Sequence, residues 1–411
     1  MIYLSDIKCI ENSFICIVSS CACRLFTKIN SCLNMLFVVL IVYLIKITKR
    51  TMLFLKQQEI NERYITNTDL ENVLESLNKD IFKVAVAGKS VLEKNIYRVD
   101  FGTGNFKILL WSQMHGNETT TTKAVFNFLK SIHANSSLLT HFSFTFLPIL
   151  NPDGAEAFTR LNANKVDLNR DSVDLSQPES QLLRSVFNTI KPYLALNMHD
   201  QRSIFSAGSE SNPATLSFLA PAFNEACDIN DVRTFAMQLI ANMNDVLKNH
   251  APDNIGRFDD SFNINCIGDQ FTHLNVPTIL FEAGFASNDY QRKKAQKLVE
   301  ISLQTLFKAI VSKEYEQFNV NDYLSIPENE KNFVDLIIEN FSTTNSELIQ
   351  NKTLPVVFKE EINAGSLVLK PTIDFHSAPN YKYAHYTLNV NNQLINNESD
   401  IEKALQNVMI S

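Results

Sequence analysis

Two observations predict an α/β fold: short apolar, β-branched runs suited to buried strands recur between residues 84 and 281, and stretches with apolar residues at helical spacing separate them. A third points to where chemistry would sit. Polar side chains able to bind metal or take up protons stand where the strand runs end, the edge at which an α/β sheet exposes reactive groups.

The first 51 residues stand apart from the rest. They hold five of the seven cysteines (Cys9, Cys16, Cys21, Cys23 and Cys32), six Lys/Arg and two Asp/Glu. The remaining chain therefore carries 31 basic against 42 acidic residues, a balance that argues against nucleic acid as a partner. Its two cysteines make no disulfide framework, so the body is expected in a reducing compartment, the cytoplasm. The apolar run 35–45 is eleven residues long, with Lys46, Lys49 and Arg50 after it. A bilayer span needs about 20 residues, and a signal peptide carries its basic flank first. The expected start is Met52, with residues 1–51 a doubtful extension; contact with a membrane is expected only if residues 33–45 act as a signal-anchor.

Residues 56–80 suit a packing helix, with Leu70, Val73, Leu74 and Leu77 on one face, and 84–86 and 91–99 suit strands. Ile108, Leu109, Leu110 and Trp111 then form a buried-strand run, followed by a polar loop with His115 and Glu118 and by a helix bearing Ala124, Val125, Phe128 and Leu129. An imidazole and a carboxylate three residues apart can chelate one zinc, although the pair alone fits a solvated loop equally well. A strand over 142–150 runs into Asn151-Pro152-Asp153-Gly154, a strong turn sequence. The loop beyond it gathers Arg160, Asn162, Asn164, Asn169 and Arg170 with no apolar periodicity, which suits capture of a carboxylate or an oxyanion.

Ser176 and Glu179 predict a capping box for a helix bearing Leu182, Leu183, Val186, Phe187 and Ile190. Next, a strand over 193–198 is followed by His199, the position of a distant third ligand, where a lone histidine is otherwise an ordinary core or surface residue. A helix over 229–249 suits core packing, and 256–269 is an irregular Asn- and Asp-rich loop. The run 276–281 has the character of a strand buried on both faces and ends in Glu282, either a reactive carboxylate or a charge at the start of the helix expected over 288–311.

The ordered set His115, Glu118, Asn151-Pro152-Asp153-Gly154, Arg160, Asn169-Arg170, His199 and Glu282 resembles the zinc carboxypeptidase family over residues 84–311. The resemblance implies a single α/β domain over 52–314, with a mixed, mostly eight-stranded sheet flanked by helices. It further implies one zinc per chain held by His115, Glu118 and His199, with Glu282 as general base toward the zinc-bound water. Arg160 would stabilise the oxyanion, and Asn169 with Arg170 would bind the substrate's terminal carboxylate. The implied substrate is a peptide or acyl-amino acid with a free carboxylate. Two features depart from the family: no tyrosine occurs from Arg202 to Phe281, and Asp171 follows Asn169-Arg170 where an asparagine is common.

From Tyr315 a charged, polar stretch suggests a linker, and alternating runs over 331–411 suggest a small β-containing appendage with no chemistry of its own. The leading expectation is a metallocarboxypeptidase. A deacylase or amidase of N-acyl amino acids or cell-wall peptides fits the same residues, and a non-catalytic, membrane-tethered binding protein is the reading from another class.

Overall fold

The computed structural model describes residues 63–133, 136–349, 352–374 and 381–410. The expectations for residues 1–51 lie outside this range. Eight strands form one mixed sheet: β1 (Lys83–Lys89), β2 (Asn95–Phe101), β3 (Phe106–Ser112), β4 (Phe142–Leu147), β5 (Leu194–Asp200), β7 (Leu216–Leu219), β8 (Ile255–Arg257) and β9 (Thr278–Ala283). The short β6 (Phe205–Ala207) lies between β5 and β7 in the chain. The spatial order is β1-β2-β4-β3-β5-β9-β7-β8. At its centre β4, β3, β5 and β9 run parallel, while β1, β2 and β7 join antiparallel to their inner neighbours.

The core follows from side-chain alternation along these strands. On β3, Ile108 and Leu110 join one apolar cluster while Leu109 and Trp111 join another on the opposite face. The first cluster is covered by α1 (Asn67–Glu75), α2 (Thr120–His133), α6 (Asp231–Leu247) and α8 (Lys293–Ser312). The second is covered by α5 (Pro178–Ile190) and α7 (Ile267–His273). Two short helices, α3 (Ser136–His141) and α4 (Pro152–Ala157), flank β4.

Three local expectations are corrected. The capping box at Ser176 does not form: Ser176 Oγ donates to Asp171 at 2.7 Å, and Gln177 occupies the N-cap of α5. Glu179 is instead fully buried, accepting from the backbone N–H of Val91 and the amide of Asn162. The strands bearing His199 and Glu282 also run past their apolar stretches. Ladder pairs His199 with Glu282 and Asp200 with Ala283 are still made, so backbone pairing outlasts the hydrophobic signal. The stretch after Tyr315 is packed, with α9 (Val320–Leu324) burying Tyr323 completely and the Tyr323 hydroxyl accepting from Ala220 N.

A second, four-stranded sheet follows, built from β11 (Phe333–Glu339), β12 (Thr353–Asn363), β13 (Ser366–Ile373) and β14 (Tyr383–Asn389) in the order β13-β12-β11-β14. The helix α10 (Glu398–Ile410) closes the described chain, and β10 (Asn329–Lys331) joins the two parts by pairing with β6. Side chains tie this sheet to the body: Arg63 pairs with Glu360, His385 Nε2 donates to Ser203 O at 2.7 Å, and the Phe285 and His385 rings lie 4.3 Å apart. Among the described residues no helix is long and apolar enough to cross a membrane.

Asp335, on β11, is buried, and burial pushes its carboxyl up to about 6 although the Phe358 N–H donates to it. The folded protein thus holds a proton that the unfolded chain has released between about pH 4 and 6, and this group's contribution to stability falls as pH rises through that window. Relative to the parent, Asp335→Asn is expected to gain up to about 3 kcal/mol between pH 4 and pH 7 in denaturant titrations. A constant difference across that range would contradict the assignment.

Candidate metal centre

The loop from β3 to α2 is shaped by a close backbone contact. A Cβ on Gly116 would lie 1.9 Å from the carbonyl carbon of Gly154 and 2.1 Å from Ala155 N, so only glycine fits there. Asn151 stitches the two segments together: its side chain accepts from Gly154 N at 2.9 Å and donates to Met114 O at 3.2 Å. The Asn-Pro-Asp-Gly sequence is thus the start of α4, with Asn151 as N-cap, and it fixes the loop that carries His115 and Glu118.

His115, Glu118 and His199 converge, with one candidate donor atom from each lying within 4.8 Å of the others. Glu118 stands between the rings, its Oε1 at 2.8 Å from His115 Nδ1 and its Oε2 at 2.7 Å from His199 Nδ1. The two Nδ1 atoms are 3.1 Å apart, and both rings are buried. His115 Nε2 lies 3.0 Å from the Asp167 carboxylate, which assigns the ring proton to Nε2 and turns the Nδ1 lone pair toward Glu118 and His199. Two imidazole nitrogens and a carboxylate crowded this closely repel one another unless a proton or a cation lies between them. This nitrogen, nitrogen and oxygen donor set fits zinc.

The surrounding charges are dense. Burial acts to lower His115, but Glu118 and Asp167 overcome it and leave the ring above its ordinary value; in His199 burial prevails over Glu118 and the ring is lowered. Burial raises Glu118 and Asp167, yet their imidazole neighbours, joined for Asp167 by Arg160, hold both well below the usual carboxylate range. Glu282 is pushed well above that range by burial first and then by Glu118 and Asp200.

The structure brings the remaining sequence candidates to this edge in different ways. Glu282 is the ladder partner of His199, so the two side chains leave adjacent strands on the same face. Arg160 reaches the centre, with Nη1 3.6 Å from Glu118 Oε1 and Nη2 3.0 Å from Asp167 Oδ2. Asn169 follows Asp167 by two residues, and its Oδ1 accepts from Ile267 N at the start of α7. The Arg170 guanidinium is exposed, donates to Asn169 O at 2.7 Å and makes no ion pair among the described residues. Asp171, the departure from the family pattern, turns away from Arg170: its carboxylate accepts from Ser176 and Gln177.

Two acids escaped sequence reasoning. Asp167 orients His115, and the only signal was an acid set in an otherwise cationic, amide-rich loop. Asp200 accepts from the backbone N–H groups of Thr120 and Thr121, anchoring the start of α2, while its own N–H donates to Glu118 Oε2 at 3.1 Å. Arg292 was missed as well; its Nη1 donates to the carbonyls of Gln201 and Ala283 behind the strand ends that carry His199 and Glu282.

Comparison with known proteins gives a partial family match and a similar fold. Residues 68–178 match the zinc carboxypeptidase family model, so the resemblance is shown over the segment that carries His115, Glu118, Arg160, Asn169 and Arg170. Carboxypeptidase 2 of Trichophyton tonsurans is 30% identical over 133 residues, which is 31% of this chain and 22% of that protein. Carboxypeptidase 2 of Trichophyton rubrum is 31% identical over 113 residues, 26% of this chain and 20% of that protein. The chain thus spans about a fifth of the length of the curated relatives it matches. In fold it is similar to bovine thrombin-activatable fibrinolysis inhibitor, solved with tick carboxypeptidase inhibitor. The TM-score is 0.50 at 12% identity, covering 62% of this chain and 99% of that one.

Metal analysis checks the centre. His115→Ala and His199→Ala are each expected to lose the metal, and Asp167→Asn to weaken its affinity by about 10- to 100-fold through loss of ring orientation. Full occupancy in either histidine variant would contradict the ligand set.

Proposed function

We propose that the protein is a zinc-dependent hydrolase of an amide bond next to a free carboxylate, a metallocarboxypeptidase in the broad sense. The observation that carries this reading is the convergence of His115, Glu118 and His199, with Arg160 beside them and Glu282 opposite His199 in the ladder. A zinc ion held by those three residues supplies a Lewis acid that polarises a carbonyl and makes water a stronger acid.

The remaining roles belong to the chain. Glu282 takes a proton from the attacking water as its oxygen bonds to the carbonyl carbon, and returns that proton to the leaving nitrogen as the C–N bond breaks. The products are a carboxylate on the acyl portion and a free amino acid. Arg160, nearly half exposed and within 4 Å of Glu118, is positioned to face the negative charge that develops on the carbonyl oxygen. The Arg170 guanidinium, which makes no ion pair among the described residues, and the Asn169 amide NH2, whose oxygen is committed to Ile267, hold the substrate's terminal carboxylate. A cation held by His115, Glu118 and His199 would offset the Glu118 charge, the second cause after burial of the raised proton affinity of Glu282, and so favour the carboxylate form that a base requires.

All of these groups lie between His115 and Glu282, inside the span 52–314 proposed as the catalytic unit. The free thiols Cys227 and Cys266 support placing the protein in a reducing compartment such as the cytoplasm.

Replacing Glu282 separates mechanism from structure. Glu282→Gln preserves size and hydrogen bonding, so zinc content and melting temperature are expected to stay at parental values while kcat falls about 10²- to 10⁴-fold. Retained zinc with an unchanged kcat would remove Glu282 from the reaction.

A further inference from the structure

A cavity of about 560 Å³ lies beside the metal centre, and its walls have two origins. The body contributes residues that neighbour the centre. Asn117 stands between His115 and Glu118 in the sequence, Phe285 is three residues beyond Glu282, and Arg292 is bonded to the carbonyls of Gln201 and Ala283. The second sheet contributes Phe358 and Glu360 from β12, among others. No residue of 159–171, the loop that carries Arg160, Asn169 and Arg170, lines it, and none of 256–269 does. The proposed carboxylate-binding side and this cavity therefore share no residue.

The shared wall is anchored. Glu360 is paired with Arg63, the Phe358 ring lies 6.0 Å from that of Tyr290, and His385 of β14 is bonded to Ser203. Its polar lining is also built. Arg63 and Arg292 are 2% and 6% exposed, and each keeps a buried Nε with no hydrogen-bond partner among the described residues. Arg292 makes no ion pair among the described residues; its Nη1 donates to backbone carbonyls. Buried donors of this kind favour a ligand that brings oxygen acceptors. The volume falls in the range of small-molecule sites, about 300–1,000 Å³.

We propose that this cavity receives the acyl side of the substrate and that the second sheet, as its outer wall, restricts the protein to acyl-amino acids and peptides of a few residues, excluding long polypeptide tails. The inference rests on the amide hydrolysis proposed above and assigns the second sheet a part in choosing the substrate.

The test is a length series on the zinc-loaded full chain: an N-acetyl amino acid, a dipeptide, a tripeptide, a decapeptide and an unfolded polypeptide, all ending in the same residue. The value of kcat/KM is expected to fall at least tenfold from tripeptide to decapeptide, and Phe358→Ala, which trims the wall, to narrow that gap. Equal kcat/KM across the parent's series would overturn the chamber while leaving the hydrolase reading intact. So would an unchanged gap in a folded Phe358→Ala protein; if that variant does not fold, the parental series decides. Should no member be hydrolysed, the hydrolase reading fails instead. Affinities of the same series, measured by calorimetry, then decide the chamber: tighter binding of the short members supports it and equal affinity overturns it.

Discussion

The parallel pairing of β3, β5 and β9 at the middle of the large sheet is the constraint on which the centre depends. The three strands end at one edge. β3 stops at Ser112 and hands the chain to the loop with His115 and Glu118, β5 presents His199, and β9 presents Glu282 opposite it. A slip of one residue between β5 and β9 would send His199 and Glu282 to opposite faces and separate the proposed base from the candidate ligands. That register is held by the apolar alternation beneath it, where Leu196, Met198, Ile279 and Phe281 are all buried. The core thus helps position the site through the ladder.

Around this edge the protein gathers charge that a core ordinarily excludes. Glu118, Asp167, Asp200 and Glu282 lie near one another, and Arg160 and Arg292 are the cationic counterparts. Burial first, and then the charges of Glu118 and Asp200, raises the proton affinity of Glu282. An arrangement of this kind costs stability and suits a centre that works on a cation and on substrate anions. Backbone bonds share the load: Asp200 is spent on the start of α2 and Asp171 on the turn before α5, so Arg170 makes no ion pair with Asp171.

Much of this was legible in the sequence because the signals are local. Alternating apolar runs gave the strands, and a polar residue ending such a run, as at His199 and Glu282, marks the sheet edge. Local reasoning misplaced the strand ends because hydrogen-bond pairing continues after hydrophobicity stops. It misjudged Ser176 and Glu179 because tertiary partners, Asp171 and Val91, outcompeted the local cap. Asp167 was hidden because its partner, His115, lies 52 residues away. The Arg63–Glu360 pair spans 297 residues and has no sequence signature at all, so the docking of the second sheet beside the centre emerged only from the structure.

The central claim is that this centre removes a carboxyl-terminal amino acid by adding water across the last amide bond. Mass spectrometry of the products formed from a short peptide in isotopically labelled water tests it directly. The account predicts that the zinc-loaded protein releases the intact terminal amino acid without label, and that one labelled oxygen appears in the new carboxylate of the remaining portion. It also predicts that release stops when the metal is chelated and resumes when zinc is restored. Cleavage at an internal bond, label in the released amino acid during a single turnover, or release that continues without metal would contradict the account.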